Sequence, residues 1–475
     1  MKRKIALAIT VIMVVSIVLA ACTATPSQPA PTDTGSSPAT DNSGTTDTTT
    51  LDNTASAPSS YDQLMQLQGD PETALALSGV QPKSYDDRTS VPKALPVQGK
   101  AAGDIKVGWA AASLGSEFFI GMRDAGFAEA QKLGMKQPDL QNADFNLETQ
   151  QQQVDTYITN KIDALILNAV DLNSSVQMIQ KIVAAGIPVI VTGPTAAKPD
   201  YQMISAIISG SNESGFQVGI YCAQQLYKPG EVLDVGMVIS KLEDADSNSR
   251  PCGWIAGYLY QSAQMNGTPY ASKYDALLEA WNIWQKYKND RKYDLSDKGL
   301  MLSQLGVGEG TDAAKGQSAT SDILVADPNM QLLVVEMDSM AVGALAEIKT
   351  QGKTPGQDIK VVTCADGTVT SLNFIKSGEL MATATNIPFL NSVSMIDMIY
   401  NMYDGTNTDK TQSEWCDYYN NMPATSFTPT MAITADNVDK YYPPDPNDPI
   451  FGTFAAFDPW TPIDIPGYNA AHAND

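Results

Sequence analysis

Between residues 104 and 435, short apolar runs alternate with segments whose apolar residues recur at helical spacing. The run "DIKVGWAAA" at 104–112 is followed by Phe119 and Met122 on one helix face, and Gly134 supplies a helix stop. Buried strands separated by amphipathic helices are typical of a parallel sheet that is covered on both faces. This pattern predicts an α/β fold.

The same alternation restarts in the second half of the chain. Buried strands are predicted for "VLDVGMVIS", "QLLVVEM" and "DIKVVTC". Helices are predicted near 213–227, 247–264, 312–326 and 338–351. Two such series exceed what one hydrophobic core accommodates comfortably, so we expect two lobes with a cleft between them. The segment from Gly306 to Gly310 is predicted to be a turn.

The N-terminus has the features of an export signal. Three cations at 2–4 precede an apolar segment at 5–20, which is short for a membrane-spanning helix. Leu19-Ala20-Ala21-Cys22 resembles a bacterial lipobox, in which cleavage precedes a cysteine that receives a diacylglycerol. We therefore predict a signal peptide at 1–21 and lipidation of Cys22, with the membrane contacted only through the lipid. The alternative is an ordinary cleavage site with an incidental cysteine.

The flanking segments have a different composition. Residues 22–60 are almost entirely Thr, Ser, Pro, Ala, Asp, Asn and Gly, which bury too little apolar surface to offset the entropy of ordering, so we predict a disordered linker. Residues 61–103 are predicted to form an N-terminal extension, and the Pro-rich segment 437–475 an irregular tail. The protein is thus expected outside the cytoplasm, anchored by lipid to the bacterial cell membrane.

Composition excludes several classes of function. The formal net charge of −23 argues against a nucleic-acid partner, because phosphate binding uses clustered Lys and Arg. The chain has one histidine, His472, which argues against Ser-His-Asp catalysis and His-based metal sites. We expect no cofactor and no metal.

Four cysteines remain after Cys22, namely Cys222, Cys252, Cys364 and Cys416. In an exported protein they can form disulfides, in any of three connectivities. They can equally be buried free thiols that pack as small hydrophobic residues. The sequence leaves both readings open.

In open parallel sheets, ligands bind beyond the carboxyl ends of the strands. The first predicted strand is followed by Ser116, Phe118 and Phe119. Later strand ends and helix starts contribute Asn168, Arg250, Asp338 and Asp366. Aromatic rings together with planar hydrogen-bonding groups suit a sugar, which has apolar C–H faces and a rim of hydroxyls.

The order and spacing of five stretches resemble the type I periplasmic binding proteins of the ribose and galactose kind. These stretches are "SLGSEFFIGMRDAGFAEAQKLG", "IDALILNAVDLNSSVQMIQKIVAAGIPVIVTG", "EMDSMAVGALAEIKTQGK", "VVTCADGT" and "GELMATATNIP". The resemblance implies two Rossmann-like lobes joined by a three-crossover hinge, with crossovers near 209–212, 385–388 and 426–429. It places 104–209 plus 387–426 in the first lobe and 210–386 plus 427–436 in the second. It also implies a monomeric, non-enzymatic receptor that captures a sugar or polyol and delivers it to the permease of an ABC transporter.

Residue by residue, the resemblance assigns ligand contacts to Ser116, Phe118 and Phe119 in the first lobe. In the second lobe it assigns them to Arg250, Asp366 and Asn386. Ribose-type members have Asp-Arg where this chain has Gly193-Pro194, so the resemblance does not extend to ribose itself.

Several of these residues have a purely structural alternative. Phe119 can belong to the core, Arg250 can pair with Asp244 and Asp246, and Asp338 and Asp366 can cap helices. At the level of the whole protein, a receptor docking on a sensor kinase or chemotaxis protein would have the same cleft. A glycosidase would need two facing acids, for which Glu117 and Asp366 are the candidates.

Overall fold

The computed structural model describes residues 60, 63, 99–170, 172–192, 205–242, 244–386, 388–403, 425–428 and 430–441. All of them belong to one unit of the chain, Ala57–Asp475. Several sequence predictions lie outside the described residues: the signal peptide, Cys22, the linker up to residue 59, most of the N-terminal extension (61–62 and 64–98), Gly193-Pro194, Cys416 and the tail from 442 onward.

The first sheet has six strands, all parallel, in the order β12-β5-β4-β3-β1-β2. The strands are β1 Val107–Ala111, β2 Asp139–Asn142, β3 Ala164–Asn168, β4 Val189–Thr192, β5 Ser205–Ser209 and β12 Thr425–Thr428. Their helices are α1 Glu117–Lys132, α2 Leu147–Thr159, α3 Leu172–Ala184 and α10 Pro388–Tyr403. The central strands β1 and β3 are buried along their whole length, which explains their continuous apolar sequences.

The second sheet has seven strands in the order β13-β11-β10-β9-β6-β8-β7. They are β6 Leu233–Ile239, β7 Tyr293–Leu295, β8 Leu300–Val307, β9 Leu332–Val335, β10 Lys360–Thr363, β11 Ala382–Ala384 and β13 Ala432–Thr434. The edge strands β7 and β13 are antiparallel to their neighbours, whereas the other pairings are parallel. The helices are α4 Ser211–Leu226, α5 Ala245–Met265, α6 Lys273–Asp290, α7 Ala313–Ala326, α8 Asp338–Thr350 and α9 Val369–Ser377.

The chain passes between the two sheets three times. It leaves the first sheet after β5, returns from β11 into α10, and crosses again between β12 and β13. Helix α10 packs its Met395 and Ile399 into the same core cluster as Trp109 of β1. The predicted fold class, two parallel-dominated α/β sheets linked by three crossovers, is confirmed.

Segment 300–310 differs from the prediction in one respect. Gly306 lies inside β8, in parallel pairing with Val238 of β6, and only the part that follows Val307 is a loop. Added side-chain atoms at Gly306 would meet the backbone oxygen of Ala319 at 2.8 Å. Glycine at this position therefore permits helix α7 to pack closely on the sheet. The prediction of a turn at Gly306 was wrong, because the glycine serves close packing and not a turn.

Helix α6 enlarges the hydrophobic core of the second sheet. Its Trp284 and Tyr287 are fully buried, and the Trp284 Nε1–H donates to Asn248 Oδ1 at 2.9 Å. At its first turn, Lys273 is buried, forms an ion pair with Glu213 of α4, and lies 4.7 Å from the centre of the Phe216 ring. These contacts fix α6 to α4 and α5.

Three of the cysteines are free thiols within the core. Cys222, Cys252 and Cys364 are all fully buried in one hydrophobic cluster, where Trp254 donates to Cys222 Sγ at 3.4 Å. Burial raises the pKa of Cys222 to about 12, so its reactive thiolate is scarce at neutral pH. Of the two readings the sequence left open, the structure favours buried thiols for these three residues.

The described part of the chain has no helix that is both long enough and apolar enough to cross a membrane.

Candidate functional site

The loop after β1 brings Ser116, Phe118 and Phe119 to the carboxyl edge of the first sheet. Ser116 occupies the N-cap position of α1, but its side chain makes no capping hydrogen bond, so the hydroxyl is not committed to the helix. The two phenylalanine rings are half-buried and lie edge to face, with centroids 5.4 Å apart. Both pack partly against the first-sheet core.

Asn168 ends β3 next to this loop and is 7% exposed. Its Oδ1 accepts from the backbone N–H of Ala112 at 3.4 Å, and its backbone oxygen accepts from Gln150 Nε2 at 2.8 Å. These bonds join the ends of β1 and β3. The Asn168 amide therefore supports the loop that carries Ser116.

In the second lobe, Arg250 lies in the second turn of α5. The helix begins where the Asp244 side chain accepts from the backbone N–H groups of Asp246 and Ser247, at 2.9 and 3.3 Å. Starting the helix there turns Arg250 inward, and it is only 3% exposed. Arg250 is thus a buried cation and not a solvated one.

Three carboxylates surround the Arg250 guanidinium. Its nitrogens lie 3.5 Å from Asp246, 3.9 Å from Asp366 and 4.0 Å from Glu336. Burial alone would lower the pKa of Arg250, but these negative charges raise it above its ordinary value. Arg250 therefore stays charged, and no carboxylate holds it in a close bidentate pair that would use up its donors.

Asp366 and Asn386 lie beside Arg250 at the ends of β10 and β11. Asn386 Nδ2 donates to Asp366 Oδ1 at 3.1 Å, and Asn391 Nδ2 of α10 donates to Asn386 Oδ1 at 3.3 Å. The structure thus brings together Arg250, Asp366 and Asn386, three of the residues selected from sequence. Through Asn391 this network reaches α10, which packs on the first sheet.

Asp338 has a different environment from these three residues. It is fully buried, and its two carboxylate oxygens accept from the hydroxyls of Thr363, Thr368 and Thr383 at 2.6–3.0 Å, and from the backbone N–H of Thr368 at 2.9 Å. Both oxygens are used within the protein. This arrangement favours a role in joining β10, β11 and the loop that carries Asp366 over a ligand contact.

Four polar atoms around this network are buried without a hydrogen-bond partner among the described residues. They are Arg250 Nε, both side-chain polar atoms of Asn212, and Asn391 Oδ1. Asn212 lies at the start of α4, where its backbone oxygen faces Gly253, less than one turn after Arg250. A buried polar group left unpaired costs about 1–3 kcal/mol, so such groups indicate a place where water or a polar ligand binds.

Glu336, Asn212 and Asn391 also lie at this site but are not among the residues that the sequence predicts. Glu336 directly follows β9, so the strand-end rule could have selected it. Asn212 and Asn391 lie near the starts of α4 and α10, just after crossovers between the sheets. Their sequence context gives no comparable signal, because the crossovers bring them to the site.

The two lobes touch through the first turns of α1 and α9. The backbone N–H of Thr370 donates to Glu117 Oε1 at 3.3 Å. Glu117 is exposed and bonds to the other lobe, whereas Asp366 is buried and bonds to Asn386. These two acids therefore serve different contacts.

Glu336 is fully buried, and its raised pKa makes the stability of the protein depend on pH. Its Oε2 accepts from the Ser240 N–H and the Ser247 hydroxyl, both at 2.6 Å. Burial raises its pKa from 4.5 to about 7, with Asp244 adding to the rise and Arg250 opposing it. The folded protein therefore holds this proton more tightly than the unfolded chain between those two pH values, and stability is lost as pH rises through about 7.

We expect Glu336→Gln to remove this pH dependence. The free energy of unfolding of the wild type minus that of the variant should fall by on the order of 2–3 kcal/mol between pH 4.5 and pH 8. Urea titrations of both proteins at several pH values measure the difference and cancel the contributions of other groups. A difference that is constant with pH would contradict a raised pKa for Glu336 in the folded protein.

Among the described residues, no group of three acidic, cysteine or histidine side chains is placed to hold a metal ion.

A profile of the family described as "Periplasmic binding protein domain" matches residues 107–407. The ribose import binding protein of Bacillus subtilis is 23% identical over 312 residues, which cover 65% of this chain and 85% of that protein. The ribose import binding protein of Salmonella typhimurium is 26% identical over 276 residues, covering 58% of this chain and 77% of that protein.

Solved structures share the fold at lower identity. A solute-binding protein of an ABC transporter from Bacillus halodurans, with bound myo-inositol, has a TM-score of 0.52 at 20% identity, over 72% of this chain and 98% of that one. The binding protein of the arabinose ABC transporter from Shewanella, bound to L-arabinofuranose, has a TM-score of 0.54 at 18% identity, over 74% and 99%. The family profile spans most of the chain, with five of the six strands of the first sheet, six of the seven strands of the second sheet, and Arg250, Asp366 and Asn386. This protein therefore belongs to the periplasmic binding protein domain family, whose members bind solutes and are not enzymes.

Proposed function

We propose that this chain is an extracytoplasmic receptor that captures a sugar or polyol between its two lobes and delivers it to the permease of an ABC transporter. The observation that carries the proposal is the network of Arg250, Asp366 and Asn386 with its buried, unpaired donors and acceptors. A polyhydroxylated ligand offers several donors and acceptors at fixed spacing, which is what such a network needs.

The relatives support this ligand class. Proteins with the same fold hold myo-inositol, D-allose or L-arabinofuranose, and the curated relatives import ribose. Closure follows from the same chemistry, because polar side chains of both lobes gain partners only when a ligand bridges them. Lipid anchoring at Cys22, delivery to a permease and a monomeric state complete the proposal and rest on the sequence.

The test is a thermal-shift screen of the purified full-length protein with D-ribose, D-galactose, L-arabinose, D-allose and myo-inositol. A ligand at 100 times its Kd stabilises the folded state by about 2.7 kcal/mol, which raises the Tm measurably. Absence of any shift with every compound, each at millimolar concentration, would contradict a sugar or polyol ligand.

We expect Asp366→Asn to raise the Kd for the best ligand at least tenfold, because a charge-assisted hydrogen bond contributes about 1.5–3 kcal/mol. The matched control is Asp322→Asn, which neutralises an exposed acid on α7 of the same lobe. Isothermal titration of the three proteins measures the effect. Equal affinities for Asp366→Asn and wild type would remove Asp366 from the site.

A further inference from the structure

Phe145, which follows β2, is exposed in an unusual way. Its side chain is 48% accessible to solvent, and its φ of 56° lies in the left-handed region that bulky residues rarely adopt. The neighbouring Asp144 has a φ of 51°. The conformation is held by the Phe145 N–H, which donates to the backbone oxygen of Ala112 at 2.7 Å, and by the Asp144 N–H, which donates to Asn142 Oδ1 at 3.0 Å. The loop thus presents an aromatic ring to solvent in a fixed backbone conformation.

The Phe145 ring continues the aromatic pair at the start of α1. Its centroid lies 5.8 Å from that of Phe119, at an interplanar angle of 72°, and Phe119 in turn contacts Phe118. We call these three rings the aromatic run. Because edge-to-face pairs at this spacing are favourable, the run is a continuous apolar surface along the carboxyl edge of the first sheet.

Strand order gives the position of the aromatic run relative to the crossovers. The strands next to the crossovers, β5 and β12, form one side of the first sheet, and β2 is the edge strand on the other side. Phe145, which follows β2, therefore lies at the edge of the first sheet that is farthest from the crossovers. The Thr370–Glu117 hydrogen bond brings the second lobe against the start of the same run.

We propose that Phe145 stacks against a second ring of the ligand, so that the protein binds a disaccharide or glycoside more tightly than a single sugar. The first ring would occupy the Arg250–Asp366 network, and the second would extend along the aromatic run with a C–H face on Phe145. The inference rests on the proposed function and adds a subsite at the mouth of the cleft. The fixed backbone favours a preformed subsite, because no loop ordering has to accompany binding.

The test uses isothermal titration of the full-length protein with matched pairs: galactose with lactose and melibiose, glucose with cellobiose and maltose, and xylose with xylobiose. We expect at least one disaccharide to bind ten or more times tighter than its monosaccharide. Phe145→Ala should reduce that ratio to threefold or less and leave the monosaccharide Kd within twofold. Phe145→Tyr, which keeps the ring, should retain the ratio.

Val325→Ala is the matched control, because it removes an exposed apolar side chain on α7 that is 76% accessible. It should leave both affinities unchanged. If monosaccharides bind but no disaccharide binds tighter, or if Phe145→Ala leaves the ratio unchanged, the second subsite is wrong and the proposed function stands. If neither class of compound binds, the second subsite is wrong, and the thermal-shift screen with the other sugars and myo-inositol decides the proposed function separately.

Discussion

Replacing Gly253 by alanine should destabilise the protein by about 3 kcal/mol or more, the upper end of what overpacking costs. An added Cβ would lie 2.0 Å from the backbone oxygen of Asn212 in the facing helix α4. A backbone atom cannot rotate away as a side chain can. Helices α4 and α5 would have to separate along their whole contact.

The close approach is built from both sides of the helix pair. Gly215 and Gly219 of α4 face the backbone oxygens of Arg250 and Trp254, and Gly257 of α5 faces that of Phe216, at 2.0–2.2 Å from the Cβ each would gain. This crossing determines where Arg250 lies relative to the start of α4. We therefore expect Gly253→Ala protein that still folds to bind its ligand more weakly.

Urea unfolding of the full-length protein measures the effect. The control is Gly121→Ala, a substitution in a helix at which the nearest atom to the new Cβ is Pro388 Cγ at 3.2 Å, a side-chain atom. Alanine is a better helix former than glycine by about 1 kcal/mol, so the control should be close to neutral. A loss below 1 kcal/mol for Gly253→Ala would show that the helix pair is not close-packed.

Arg250→Met should abolish ligand binding and reduce stability by about 3–5 kcal/mol at pH 8, the usual cost of breaking a buried ion pair. The variant keeps a long side chain but leaves Asp246, Glu336 and Asp366 without their cation. At pH 5.5 the loss should be smaller, because burial raises the pKa values of Glu336 and Asp366 and protonation then removes the uncompensated charge.

Urea titrations at the two pH values, together with titration of the best sugar, measure these effects. Arg123→Met is the control, since it removes an arginine that is partly exposed and pairs with the exposed Asp124. An Arg250→Met loss of the same size at both pH values would mean that Arg250 contributes packing and not charge.

Much of the fold was predictable because its signals are local. The helices predicted at 213–227 and 312–326 are observed as Ser211–Leu226 and Ala313–Ala326. They could be predicted because helical periodicity can be recognised within a single segment. Strand β8 was missed, because Ser303 and Gln304 interrupt its apolar run and Gly306 resembles a turn residue. That strand is stabilised by pairing with β6 on one side and β7 on the other, which no local pattern reports.

The site was predictable where one geometric rule sufficed. Arg250 and Asp366 were selected because one begins a helix and the other follows a strand, and parallel strands end at one edge of a sheet. Asn386 was assigned only by the family resemblance. The role of Asp338 could not be read in the same way. Its position satisfies the same rule, yet its carboxylate already accepts hydrogen bonds from three threonines. One lies in β10, one in the loop after β10 and one in β11.

By itself, the sequence determined the alternation of strands and helices, the division into two sheets and the class of side chain at the strand ends. It did so because backbone periodicity and burial leave a repeating pattern within a few residues. Only the tertiary structure decided which charges share a site. Glu336 and Asp366 lie about 90 and 120 positions after Arg250, and their proximity depends on strand order and on the glycine-lined crossing of α4 and α5.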